Sequence, residues 1–157
     1  MNNQPFHIVL IEPEIPPNTG NVARLCAATG TVLHLVGKLG FSISDKHLKR
    51  AGLDYWEAVQ LYRWRHFSDL LAAFPDRRVW LTSKRAEQNY ANADFQPGDL
   101  LVFGKETEGL SEELLATPGG RTIRIPIFSP LVRSLNLSTA AGIVLYEALR
   151  RTGQLDG

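Results

Sequence analysis

Three short stretches concentrate side chains that could hold or polarise a ligand. The first, PPNTGNVAR at 16–24, sets Asn18, Asn21 and Arg24 around Gly20. The second, FGKETEGL at 103–110, places Glu106 between Gly104 and Gly109. The third, RSLNLS at 133–138, delivers Arg133, Ser134, Asn136 and Ser138 after a loop broken by Pro126 and Pro130. Glycines let backbone approach a ligand or take positive φ, amides and hydroxyls read polar edges, and a guanidinium favours negative charge beside it. Taken singly, each stretch reads equally as a turn or a helix cap, since Ser and Asn are what helix starts prefer. Neither a G-x-S-x-G elbow nor a His and carboxylate spacing suited to a metal accompanies them.

The surrounding pattern explains how the three could meet. Near-continuous apolar runs predict strands at 7–11, 32–36, 59–62, 79–82, 100–103 and 122–125. Between them, Asn18 is expected to cap a helix closing at Gly30, Ser44 or Asp45 a short helix through Ala51, Ser68 one ending near Phe74, and Ser111 a short SEELLA helix. The final helix is the clearest, with one apolar stripe of Ala140, Ala141, Val144, Leu145, Ala148 and Leu149, and Gly153 just past its end. This alternation predicts an α/β fold, a mostly parallel sheet with helices on both faces, as one domain over 1–157. Each polar stretch then follows a strand, at the edge where such sheets bind ligands. Their recurrence at one edge is the stronger signal.

Composition narrows the function. Hydrophobic residues at 44% and charged residues at 21% describe an ordinary globular chain, and neither a long apolar run nor a signal-like leader appears, so a cytoplasmic location with no membrane association is expected. Cys26, the single cysteine, excludes an intrachain disulfide and reads as buried and inert; His34, inside a strand, reads as a satisfied structural histidine, and no metal is expected. G-x-G-x-x-G, G-x-x-x-x-G-K-[ST] and an acidic residue ending the second strand are all missing, which excludes common dinucleotide, P-loop and Rossmann-type enzymes. Net charge is only +1, so any RNA footprint has to be assembled from local clusters.

The three stretches, in this order, resemble the three motifs of the SPOUT methyltransferases. The matching residues are Asn18, Gly20, Asn21 and Arg24, then Phe103, Gly104, Glu106, Gly109 and Leu110, then Ile125 and Pro126 followed by Arg133 through Ser138. IVLIEPEIPPNTGNVARLCAATG and AGLDYWE at 51–57 look like the small single-domain branch that methylates the ribose 2′-hydroxyl of the tRNA wobble nucleotide, cytidine or uridine. The resemblance implies a carboxyl-terminal trefoil knot and S-adenosylmethionine bound near a homodimer interface. It implies cofactor contacts at Leu81, Gly104, Glu106, Gly109, Ile125, Ser134, Leu135 and Asn136, with Glu106 equally able to hold a loop by accepting amide hydrogens. Arg24 becomes the catalytic candidate, with Asn18 and Asn136 beside it to fix the ribose or the cofactor carboxylate. The expected tRNA contacts are Lys46, Lys49, Arg50, Arg63, Arg65, Lys84 and Arg85. Ribose methylation of another RNA, such as ribosomal RNA, and a non-catalytic binding module are the alternatives. One departure stands out: Phe128, Pro130, Leu131 and Val132 make apolar a segment that is usually polar in the branch.

Overall fold

The computed structural model describes residues 4–42 and 57–156. The expected helix from Ser44 or Asp45 to Ala51, most of AGLDYWE, and Lys46, Lys49 and Arg50 lie outside the described residues.

Among the described residues, six strands form one all-parallel sheet: β1 (His7–Ile11), β2 (Val32–Val36), β3 (Leu61–Trp64), β4 (Val79–Thr82), β5 (Leu100–Phe103) and β6 (Arg121–Ile123). Their order is β3-β2-β1-β5-β4-β6. The helices are α1 (Pro16–Thr29), α2 (Phe67–Ala73), α3 (Glu112–Leu115) and α4 (Leu137–Arg151), with a 3₁₀ turn at Tyr90–Asn92. No helix among the described residues is long and apolar enough to cross a membrane.

Strand alternation divides the core in two. Ile8 and Leu10 of β1, with Leu33, Leu35, Leu101 and Phe103, pack on Val22 and Cys26 of α1 and Val144 and Leu145 of α4. Val9 and Ile11, with Leu81, Leu100 and Val102, face Phe67 and Leu70 of α2 and Leu114 and Leu115 of α3. Helices therefore cover both faces, as the apolar runs predict, and α4 buries the stripe expected of it except at Ala140, which is half-buried.

Four boundaries differ from expectation. Asn18 is not the cap of α1: Pro16 and Pro17 start the helix behind Ile15, because their fixed φ suits the first turn, and Asn18 turns inward. β3 starts two residues late, at Leu61, where pairing with Leu33 of β2 sets its register. His66, not Ser68, precedes α2. β6 ends at Ile123, because Arg124 leaves β4 to bridge Asn89.

Two buried histidines cross the sheet. Trp64 Nε1 donates to His34 Nδ1 at 2.9 Å, and His34 Nε2 lies 2.8 Å from His7 Nδ1. An indole N–H only donates, so His34 carries its proton on Nε2 and gives it to His7. His34 is therefore structural, as its place in a strand suggests.

Candidate active site

The carboxyl ends of β1, β4, β5 and β6 open onto a cleft of about 890 Å³. Its walls are the three polar stretches. Asn18 comes from the first turn of α1, residues 103–110 from the loop after β5, and Ile125, Ile127 and Arg133 through Leu137 from the return that leads into α4. That return matters topologically: β6 lies outside β4, yet α4 packs against α1 and β5, so the chain crosses back over the strand ends.

Glu106 ties the walls together. Its Oε1 accepts from the Glu14 amide at 2.8 Å, and its Oε2 accepts from the Ile15 amide at 2.9 Å and from Asn18 Nδ2 at 3.1 Å. Asn18 Oδ1 in turn accepts from Asn136 Nδ2 at 2.9 Å. Asn136 Oδ1 closes the series, capping α4 by accepting from the Ser138 amide at 2.9 Å and the Ser138 hydroxyl at 2.6 Å. One hydrogen-bonded line thus joins all three stretches across 118 residues of sequence. The acceptor-only carboxylate fixes both amide orientations, since Nδ2 of Asn18 must face Glu106. It also places a negative charge at the positive end of α1, whose own cap residue, Ile15, supplies no side-chain acceptor.

A reciprocal clasp reinforces this line. Glu14 Oε1 accepts from the Thr107 amide at 3.1 Å and its hydroxyl at 2.8 Å, and these bonds hold the Glu14 carboxyl below its ordinary pKa. Gly104 is demanded by packing, because a Cβ there would sit 2.1 Å from the Gly109 carbonyl carbon and 2.3 Å from the Leu110 nitrogen. Gly109 turns the loop with φ of 69° and donates to the Lys105 carbonyl at 2.9 Å.

Most of the expected cofactor residues line the cleft: Gly104, Glu106, Gly109, Ile125, Ser134, Leu135 and Asn136, with Asn18 beside them. Leu81 does not; strand alternation turns it into the α2 and α3 side of the core, fully buried, and Thr82 and Ser83 line the cleft instead. Lys84 and Arg85 also line it. Arg63 and Arg65 belong to β3 and its exit, at the far edge of the sheet. Arg24 is exposed on α1 and is not among the residues lining the cleft of its own chain. Glu14 and Thr107 carry no sequence signal beyond their closeness to the motifs.

Known proteins resemble this chain over nearly its whole length. The chain is 50% identical over 148 residues to a tRNA (cytidine(34)-2'-O)-methyltransferase of Methylovorus glucosotrophus, covering 93% of this chain and 95% of that one. A solved structure described as giving insights into 2-OH methylation of C/U34 on tRNA superposes with a TM-score of 0.90 at 48% identity, covering 96% and 97% of the two chains. An AdoMet-bound rRNA methyltransferase from Sinorhizobium meliloti superposes with a TM-score of 0.85 at 27% identity, covering 95% of this chain but 57% of that one. Residues 5–146 match the SpoU rRNA Methylase family, and the chain belongs to it.

Proposed function

We propose that this chain transfers a methyl group from S-adenosylmethionine to the ribose 2′-hydroxyl of the tRNA wobble nucleotide, cytidine or uridine. The observation that carries the reading is the Glu106–Asn18–Asn136 line, which gathers three separate stretches onto one cleft. Relatives near half identity over almost the whole chain, named for that reaction, support the substrate.

The cleft suits the cofactor. Its volume falls within the range of about 300–1,000 Å³ typical of small-molecule sites. Ile125, Leu135, Leu137 and Ala140 supply apolar surface for a base, and backbone groups of 104–109 and 133–136 supply polar edges. The network uses one Nδ2 hydrogen on each of Asn18 and Asn136, leaving the other for a ligand. When bound, S-adenosylmethionine supplies an electrophilic methyl on a sulfonium. The protein's part is to orient the ribose and ease loss of the hydroxyl proton. A guanidinium is too weak a base for that, so Arg24 acts electrostatically, binding the substrate phosphate and lowering the pKa of the hydroxyl, while water or a phosphate oxygen takes the proton. The position of Arg24, outside the cleft of its own chain, favours a site completed across a homodimer. The single domain would thread its return segment as a trefoil knot, as the resemblance implies.

Purified protein should label bulk tRNA from labelled S-adenosylmethionine; label in ribosomal RNA and none in tRNA would overturn the substrate. Arg24→Ala should bind the cofactor normally and lose about 10²–10³-fold in transfer, and retained turnover would remove the arginine from the chemistry.

A further inference from the structure

A second hollow of about 510 Å³ adjoins the cleft, walled by Lys84, Arg85, Arg124, Phe128, Val132 and Arg133. Lys84, Arg85 and Arg133 line both spaces, so they form a shared wall. Phe128 is 94% exposed and its neighbour Leu131 92% exposed, the two most exposed large apolar side chains among the described residues. Among the described residues, four cations and no carboxylate line this hollow, although the whole chain carries a net charge of only +1. Arg85 is paired with Glu112 outside it, and Arg124 donates to the Glu87 carbonyl. Lys84 and Arg133 form no ion pair among the described residues.

An exposed aromatic ring set among cations suits a single-stranded nucleotide, which offers a π-face and a phosphate together. The core of a protein interface is instead depleted in charge. We infer that this hollow binds the target nucleotide or its immediate neighbour in a single-stranded RNA loop, with Phe128 stacked on the base and Lys84 and Arg133 on the flanking phosphates. The inference rests on the RNA-methylation reading and adds to it the groups that hold the base. It also gives a use to the apolar 128–132 segment.

The test is Phe128→Ala against Phe128→Trp, with an anticodon stem-loop oligonucleotide as the RNA. Stacking predicts that Phe128→Ala raises KM for tRNA and Kd for the oligonucleotide about 5- to 100-fold, leaves kcat and cofactor Kd unchanged, and that Phe128→Trp restores both. The indole introduced by Phe128→Trp should lose fluorescence on adding the oligonucleotide. Lys84→Ala and Arg133→Ala should each lower the slope of log Kd against log salt by about one. Unchanged RNA affinity in Phe128→Ala would overturn the inference, as would a change in its light-scattering mass, which would place the ring in a protein interface. The fluorescence readout needs no methyl transfer. Quenching without transfer to tRNA would therefore sink the proposed function alone, and transfer indifferent to Phe128→Ala would sink this inference alone.

Discussion

Replacing Glu106 by Gln tests whether this side chain braces the site or touches the ligand. The carboxylate accepts from the Glu14 and Ile15 amides and from Asn18 Nδ2. A glutamine of the same shape keeps one oxygen. In its better orientation that oxygen serves Ile15 and Asn18, while the new amide N–H₂ points at the Glu14 N–H. One charge-assisted bond, worth about 1.5–3 kcal/mol, is then lost and two are weakened. The negative charge at the start of α1 goes as well, worth about 0.3–1 kcal/mol. The sum is about 2–4 kcal/mol, which for a chain of this length lowers Tm by roughly 5–15 °C. Thermal denaturation and cofactor titration on the same samples read both consequences. If Glu106 braces the cleft, stability falls and cofactor affinity weakens with it. A variant as stable as the parent but unable to bind cofactor would make Glu106 a ligand, and one unchanged in both would refute the bracing role.

Two further perturbations follow from the same geometry. Gly104→Ala drives a Cβ into the backbone of Gly109 and Leu110 and should cost about 1–3 kcal/mol along with cofactor binding. Gly109→Ala meets open space but holds φ at 69°, so it should cost only about 1–2 kcal/mol; urea midpoints in the reverse order would contradict this. Stability should also fall in mild acid. Burial holds His7 down to about 4 and His34 to about 3, so both fold neutral, while the unfolded chain protonates them near 6.5. Their contribution is full above pH 6.5 and is lost as pH drops from there towards 4. At pH 5 the loss is about 2 kcal/mol for each imidazole acting alone. A Tm equal at pH 7.5 and pH 5, or an acid drop undiminished in His7→Gln, would exclude this linkage.

The strands were legible because a strand buried on both faces must be apolar throughout, as HIVLI and LLVF are. Edges were less so: β3 exposes Arg63 and took its register from β2, which no local pattern encodes. Asn18 shows how a local rule can mislead. Its type suits a cap, but two prolines had already started the helix, and its amide was recruited by a carboxylate 88 residues away. The same distance explains why the residue types of the site were readable and its wiring was not. Glu106 stood out as an acceptor between glycines, but that it would hold the amino end of α1 depended on β5 lying beside β1. Leu81 marks a simpler limit, since strand alternation turns its side chain into the core and sets Thr82 and Ser83 on the cleft.

If the three stretches form one methyl-transfer site acting on a tRNA ribose, the purified protein marks that ribose. Mapping the methyl group in tRNA labelled by the purified protein decides the matter. The expected product is a 2′-O-methyl at the wobble nucleotide, cytidine or uridine, abolished by Arg24→Ala. A methyl on a base, or on a ribose elsewhere in the tRNA, would contradict it.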